Sequence, residues 1–279
     1  MLKVERLVKF FGRGTVNEVR ALSGLDLGMD EGEFVSIIGG NGAGKSTLMA
    51  CISGAHLPDA GRIVLGGRDI TFLPEYKRAG LIGRVFQDPL SGTCASMTIE
   101  ENLSLAALRG RRRGLARGVR KRDRAGYRNL LATLDLGLED RLTDQVGLLS
   151  GGQRQSLTLL MATLVRPTLL LLDEHTAALD PKTARLTMDL TQELVERSRL
   201  TTLMITHNMH QALTYGHRLI MMDQGRIILD VGRDEKSRLT VTDLLEKFAR
   251  GGGGSDSVTD RLVLACTNPG IDIKPPASE

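Results

Sequence analysis

Gly39-Gly40-Asn41-Gly42-Ala43-Gly44-Lys45-Ser46-Thr47 is the stretch whose residue types and spacing point most directly to chemistry, for it fits G-x-x-x-x-G-K-[ST]. Glycines let a loop wrap until successive backbone N–H groups point inward, and a helix starting there adds its positive end to the anion-binding nest. In such a loop Lys45 reaches the β- and γ-phosphates of a nucleotide, and the Ser46 hydroxyl ligates Mg2+. A chance glycine-rich turn need not end in Lys-Ser, nor lie between a strand and a helix. A second group, Leu169-Leu170-Leu171-Leu172-Asp173-Glu174, is four apolar residues followed by two acids. Beside a phosphate loop that pattern suits a metal-holding Asp173 and a water-polarising Glu174. Alone it equally describes a strand ending in a solvated turn. A third group, Leu149-Ser150-Gly151-Gly152-Gln153-Arg154-Gln155, has Ser150 as a natural helix N-cap, with two glycines that let a phosphate approach the backbone. An ordinary helix start has the same composition.

These groups need elements that present them, and the apolar patterning supplies those. Residues 33–38 read as a short buried strand feeding the glycine loop, and 47–52 as the helix behind it. Ahead of them, 2–11 and 19–27 alternate as strands, and 62–65 with 68–70 form a hairpin around Gly66-Gly67. Residues 83–86 predict a strand ending at Gln87-Asp88-Pro89. From about 96 to 164 the pattern turns helical, with Thr98 and Glu101 as a capping box and a helix over 128–136 stopped by Gly137. Parallel α/β character resumes with a strand over 168–173 buried on both faces. A helix over 182–198 opens at Asp180-Pro181. A strand over 201–206 follows, then a hairpin around Gln224-Gly225 and a helix over 241–250. Gly251-Gly252-Gly253-Gly254-Ser255 has the composition of a linker, and a short apolar helix over 258–265 precedes a Pro-containing end.

Composition removes several classes. Hydrophobic content of 41% and charged content of 25% are ordinary for a globular protein. No apolar run approaches the ~18–20 residues that span a bilayer, and the N-terminus lacks the apolar stretch of a signal peptide. The three cysteines, Cys51, Cys94 and Cys266, are too scattered for a metal spacing or a disulfide set, which points to a reducing compartment. With no Trp and 3% aromatics, stacking platforms for single-stranded nucleic acid are not expected. The net charge of +4 is local: residues 109–124 hold nine Lys or Arg against one acid, Asp123, so the rest of the chain is acidic. This run reads as a solvated loop or helix face, with attraction to anionic lipid headgroups as the sharper alternative.

The heptapeptide 149–155 resembles the signature motif of the ATP-binding cassette family. The other groups follow in that family's order over roughly residues 2–235: Phe11, the loop 39–47, Gln87, the signature, Asp173-Glu174, Ala177-Ala178-Leu179-Asp180 and His207. The resemblance implies an α/β fold, a P-loop NTPase with a mainly parallel core sheet, an N-terminal antiparallel β subdomain and an inserted α-helical subdomain. The ATPase domain would span 1–250 with its helical subdomain at about 90–164, then a linker over 251–255 and a short tail over 256–279. It implies ATP and Mg2+ as ligands. Glu174, His207 and Gln87 would be catalytic, and Ser46, Gln87 and Asp173 would hold the metal. ATP would be held by Gly39, Gly40, Asn41, Gly42, Ala43, Gly44, Lys45, Ser46 and Thr47. Phe11 matches the aromatic that stacks on adenine, although neighbouring Phe10 is an alternative. Ser150, Gly151, Gly152 and Gln153 would bind the ATP held by another subunit, with Asp180 facing that subunit.

Such a chain acts as a head-to-tail dimer, with a second copy of itself or a related cassette, closed by nucleotide and opened by hydrolysis. The string from Asp173 to Thr183, together with Ile205-Thr206-His207-Asn208-Met209, resembles a bacterial importer group in which some members serve amino-acid uptake, tryptophan or tyrosine among them. The chain is therefore expected on the cytoplasmic face of the membrane, as a peripheral subunit. Its partners would be an integral membrane permease and an extracytoplasmic solute-binding protein, with no nucleic acid. The ATPase of an exporter or lipoprotein-extraction complex is the alternative, because it shares every catalytic residue. A soluble DNA- or ribosome-acting ATPase fits less well, since the interval from Gln87 to Ser150 is too short for a coiled-coil arm. His175, where many members have Pro, has no role derivable from sequence.

Overall fold

The structure is a computed structural model that describes residues 1–111 and 118–250. The middle of the basic run, the linker 251–255, the expected helix over 258–265 and the tail 256–279 lie outside the described residues. Three strands and a helix open the chain: β1 (Leu2–Phe11), β2 (Val19–Met29), β3 (Phe34–Gly39) and α1 (Lys45–Ser53). Then come β4 (Ala60–Leu65), β5 (Arg68–Asp69), α2 (Glu75–Arg78) and β6 (Ile82–Val85). A helical stretch holds α3 (Ile99–Ala107), α4 (Arg124–Ala132) and α5 (Gly151–Leu164). Alternation returns with β7 (Leu169–Asp173), α6 (Pro181–Ser198), β8 (Thr202–Ile205) and α7 (Met209–Thr214). The described chain ends with β9 (Arg218–Asp223), β10 (Arg226–Val231), α8 (Arg233–Lys236) and α9 (Val241–Arg250).

Two sheets result. One is antiparallel, ordered β2-β1-β4-β5, and the other runs β10-β9-β3-β8-β7-β6. In the larger sheet every neighbour pair is parallel except β9 with β10. Leu169, Leu170, Leu171 and Leu172 are all fully buried, which is why β7 shows an unbroken apolar run rather than alternation. One face of the large sheet packs with α1 and the small sheet, joining Leu171 and Ile205 to Leu48, Ile52 and Leu7. The opposite face packs Leu170, Leu172 and Met204 with Leu159 of α5 and Met188 and Val195 of α6. The helical stretch has its own core around Ile99, Leu103, Leu131, Leu157 and Leu160. Among the described residues no helix is long and apolar enough to cross a membrane.

The Thr98–Glu101 capping box expected from sequence starts α3, and Ser150, expected as an N-cap, starts α5 in a capping box with Gln153. One element is displaced. The helix expected over 128–136 runs from Arg124 to Ala132, so it begins inside the basic run. Arg124 is fixed there by a two-point ion pair with the buried Glu100, Nε to Oε2 at 2.6 Å and Nη2 to Oε1 at 2.7 Å. Arg109, at the other end of the run, donates to the Ala162 carbonyl at 2.7 Å and to that of Val165, satisfying the last turn of α5. Both ends of the basic run are therefore structural anchors, although the Arg124 side chain stays 40% exposed. Of the other two cysteines, Cys51 is a buried thiol pushed up to about 11 by burial and Cys94 is exposed; neither is paired.

Candidate functional site

Parallel strands all end at one edge, and here that edge gathers residues distant in sequence. β3, β8, β7 and β6 are consecutive neighbours, so the loops after Gly39, Ile205, Asp173 and Val85 emerge side by side. The loop 40–44 leaves β3, Thr206-His207 leaves β8, Asp173-Glu174 closes β7, and Gln87 lies exposed two residues past β6.

The glycine loop is shaped by its neighbours as much as by its own residues. A Cβ on Gly39 would stand 2.3 Å from the Met222 carbonyl of β9, and Gly39 has φ +155°. Gly44, at φ +96°, caps α1 with its own Cβ position 2.5 Å from the Ala21 carbonyl of β2. The β9–β10 turn supports the loop from outside, because the Gly225 N–H donates to the Ala43 carbonyl at 3.0 Å. Lys45 is buried, and its Nζ donates to the Gly39 and Gly40 carbonyls at 2.8 and 2.9 Å, which holds the ammonium inside the curve of the loop. Ser46 is exposed at the mouth, as is Asn41; Ala43 is buried beneath it, and Thr47 is half-buried in the first turn of α1.

Glu174 has φ +45°, a left-handed conformation that strains a residue other than glycine by ~1–3 kcal/mol. Hydrogen bonds hold it there: its N–H donates to the Ile205 carbonyl at 3.0 Å, and its carbonyl accepts from Ala177 N at 2.9 Å. The twist carries the carboxylate to His207, whose Nε2 lies 2.6 Å from Glu174 Oε1. A groove of about 830 Å³ opens beside the pair, between α6 and α7. Asp173 keeps ordinary strand geometry and pairs with Arg84 of β6, Nη2 to Oδ2 at 3.2 Å.

Of the two candidate aromatics, Phe10 is half-buried and its ring is covered by the guanidiniums of Arg13 and Arg20 at 5.4 and 5.6 Å. Phe11 is 37% exposed, touching the His56 ring edge-on at 5.3 Å.

With this geometry established, three comparisons place the chain. The family model described as ABC transporter matches residues 22–177. A tyrosine transport ATP-binding protein of Clostridioides difficile is 48% identical over 89% of this chain and 98% of its own length. The chain belongs to the ABC transporter family. It is an ATP-binding, ATP-hydrolysing member of it. A methionine import ATP-binding protein of Rhizobium johnstonii is 38% identical over 75% of this chain and 56% of its own length, so the match spans about half of that relative. Among solved structures, an ATP-binding cassette crystallised as a dimer in a post-hydrolysis state with ADP and Pi superposes with a TM-score of 0.70. It is 30% identical, over 84% of this chain and 99% of that one. A cassette of Clostridium perfringens, part of a larger ABC transporter complex, superposes at 0.71 with 29% identity over 88% and 93%.

The residues that resemble the family's signature motif form a second group in this ABC protein, where α5 and α6 begin. Ser150 accepts from Gln153 N at 3.2 Å, and the Gln153 side chain returns a bond to Ser150 N at 3.2 Å. Gly151 is exposed. Gly152 is buried against α6, and a Cβ there would stand 2.3 Å from Thr183 Cγ2. The second glycine is therefore required for packing within one chain, whatever it also offers a phosphate. Asp180 caps α6 by accepting from Thr183 N at 3.1 Å, and those bonds hold its carboxyl below the ordinary range.

Three residues around the site have roles that their spacing in the sequence does not show. Gln211 of α7 bridges the loops after β7 and β8, with its amide 3.2 Å from Thr176 Oγ1 and 3.0 Å from Thr206 Oγ1. Both threonines are buried and flank the Glu174–His207 pair in sequence. The only sequence signal was Gln211 three residues after Asn208, the spacing of a helix cap, and Asn208 does cap α7. Gln211→Ala should lower turnover about tenfold with nucleotide affinity unchanged, as loss of an orienting partner does. Steady-state kinetics with a nucleotide titration checks this, and equal loss of binding and turnover would make Gln211 merely structural.

His175, the second, is fully enclosed beneath α6. Thr191 Oγ1 donates to the Thr187 carbonyl at 2.7 Å, so His175 Nε2, 3.1 Å away, must be the donor to Thr191. Burial pushes the imidazole down to about 4. Its folded pKa lies below the ordinary 6.5, so its contribution to stability is complete above about pH 6.5 and fades as pH falls toward 4. Between pH 7 and 5 the wild type should lose about 2 kcal/mol of stability that His175→Leu does not lose. Urea denaturation at the two pH values reads the difference, and equal slopes would refute the assignment. The third, Arg84, is a charge in the middle of a short buried strand.

The three groups expected to hold a metal, the Ser46 hydroxyl, the Gln87 amide carbonyl and the Asp173 carboxylate, would all offer it oxygen. Among the described residues no cluster of three or more His, Cys, Asp or Glu could hold an ion by itself. One carboxylate with neutral oxygens and nucleotide phosphates is the donor set Mg2+ accepts. Asp173 already carries a cation in the form of Arg84, so its carboxylate is turned to receive positive charge. The residues fit the ion.

Proposed function

We propose that this chain energises solute import: residues 1–250 are its ATPase domain, with a helical subdomain at about 90–164, working from the cytoplasmic face of a bacterial membrane through a separate permease. The observation that carries this reading is 48% identity along 98% of a tyrosine transport ATP-binding protein. The methionine import relative supports the same direction of transport. An amino acid is the solute class, with tyrosine the first to test, delivered by an extracytoplasmic solute-binding protein.

In this reading Phe11 stacks on adenine, the N–H groups of residues 40–47 surround the phosphates, and Lys45 donates to the β- and γ-oxygens. Mg2+, held by Ser46, Gln87 and Asp173, supplies charge neutralisation at the phosphate oxygens when bound. Glu174 takes a proton from the attacking water as that oxygen bonds to the γ-phosphorus and the bond to ADP breaks. His207 holds the Glu174 carboxylate before nucleotide arrives, and the same N–H is the donor available to the γ-phosphate afterwards. Gln87, exposed two residues past β6, would approach the metal and sense the permease. Ser150, Gly151, Gly152 and Gln153 of one copy meet the ATP on the P-loop of the other, with Asp180 at the seam. Two nucleotides then close a head-to-tail dimer whose bridging contacts vanish on hydrolysis. The solved relative that is dimeric with ADP and Pi supports this assembly.

Affinity purification of the tagged chain from detergent-solubilised native membranes, with mass spectrometry, tests the proposal. A polytopic permease together with a solute-binding protein is the expected result. A permease with a large extracytoplasmic domain and no binding protein would replace import with export, and recovery with ribosomes or DNA alone would overturn transport.

A further inference from the structure

Arg84 is an unusual residue for its position. β6 is four residues long, and Ile82, Gly83 and Val85 are buried around it. In the parallel pairing of β6 with β7, Arg84 stands opposite Leu171, and Asp173 lies two residues further along the same face. The side chain spans that step and places Nη2 3.2 Å from Asp173 Oδ2. The two side chains are only 20% and 17% exposed, so water screens the pair weakly. The guanidinium stacks on the Phe86 ring at 4.5 Å, and its buried Nε has no hydrogen-bond partner. Glu75 Oε1 lies 3.9 Å from Nη1, the other terminal nitrogen of the guanidinium. Arg84 therefore has a second acceptor within reach and an incompletely satisfied head group. Three residues further on is Gln87, and one flank of Arg84 lines a groove of about 900 Å³ between β6 and the helical stretch.

We propose that Arg84 is the resting counter-ion of Asp173: it neutralises this carboxylate in the nucleotide-free chain and yields it, turning toward Glu75, when Mg2+ enters with ATP. This rests on Asp173 being the metal carboxylate. Arg84 and Mg2+ compete for one negative charge, so the protein gains less from the metal than a bare carboxylate would. Without metal, Arg84 shields the phosphates from Asp173. Both effects reduce the coupling between Mg2+ and nucleotide, which is reciprocal and measurable from the nucleotide side alone.

The experiment measures the affinity of a fluorescent ATP analogue in EDTA and at saturating Mg2+, for the wild type, Arg84→Met and Arg84→Lys. The ratio of the two dissociation constants is the coupling, and it is independent of turnover. Arg84→Met should raise that ratio at least about threefold, within the range of one partly buried ion pair. Arg84→Lys, which keeps the charge, should stay nearer the wild type. If Arg84 merely fastens β6 to β7, both affinities weaken together and the ratio is unchanged, which overturns the proposal. A wild-type ratio of one, with no effect of Mg2+, would instead remove the metal assignment of Asp173 and the proposal with it.

Discussion

Glu174→Gln should leave nucleotide binding intact and reduce ATP turnover at least about a hundredfold, the minimum usually lost with a general base. The amide has the size of the carboxylate, can adopt the same φ of +45° and can accept from His207 through its oxygen, so the local structure survives. What it cannot do is take a proton from water. With chemistry blocked, nucleotide remains at the site, and the proposed dimer should persist long enough to be seen by size-exclusion chromatography in ATP. Phosphate release, an ATP-binding titration and that chromatogram make one experiment. A variant that hydrolysed ATP at the wild-type rate would show that another group takes the proton.

The largest structural effect is expected at Arg78, which is fully buried and donates four hydrogen bonds, every one of them to main-chain carbonyls. Nη1 reaches Cys51 and Ile52 at 2.7 and 2.8 Å, Nη2 reaches Thr71 at 2.9 Å, and Nε reaches Leu73 at 2.7 Å. The first two carbonyls belong to the last turn of α1, which follows the P-loop, so the cation closes the negative end of the helix whose positive end faces the phosphates. Gly54, the C-cap of α1, gives it room, since a Cβ there would stand 2.7 Å from Nε. Arg78→Ala leaves four buried acceptors without their donor and opens a cavity, at a cost of at least about 4 kcal/mol. For a chain of this size the melting temperature should fall by about 10 °C or more. Arg78→Lys should recover only part of the loss, because a single ammonium cannot reach four divergent carbonyls. A melting temperature within about 2 °C of the wild type for Arg78→Ala would refute this role.

Much of this architecture was legible from sequence because the signals were local. The strand–loop–helix around Gly39–Ser46 follows from glycines, a buried apolar run and Lys-Ser at fixed spacing. The caps at Thr98, Ser150 and Asp180 are side-chain-to-backbone bonds over three residues, and each forms as its spacing implied. The hairpin around Gln224-Gly225 closes with both residues at positive φ, as a two-residue turn requires. The start of α4 was misplaced for the opposite reason. Its first residue is held by Glu100, twenty-four positions away, and nothing within the basic run reports that partner.

Which chemistry-bearing residues exist, and the order of the strands and helices that carry them, follow from local residue pattern alone. Periodicity and turn chemistry act over a few residues and need no knowledge of the rest of the chain. Which strands are neighbours, and so which ends share an edge, emerges only once the sheet is packed. Sheet order brought Glu174 to His207 at 2.6 Å, laid Arg84 on Asp173, and set Gln211 between Thr176 and Thr206. Those contacts link loops whose separation along the chain carries no pattern. They are set by burial of the two faces of β6, β7 and β8, which leaves a single register in which the polar ends can meet.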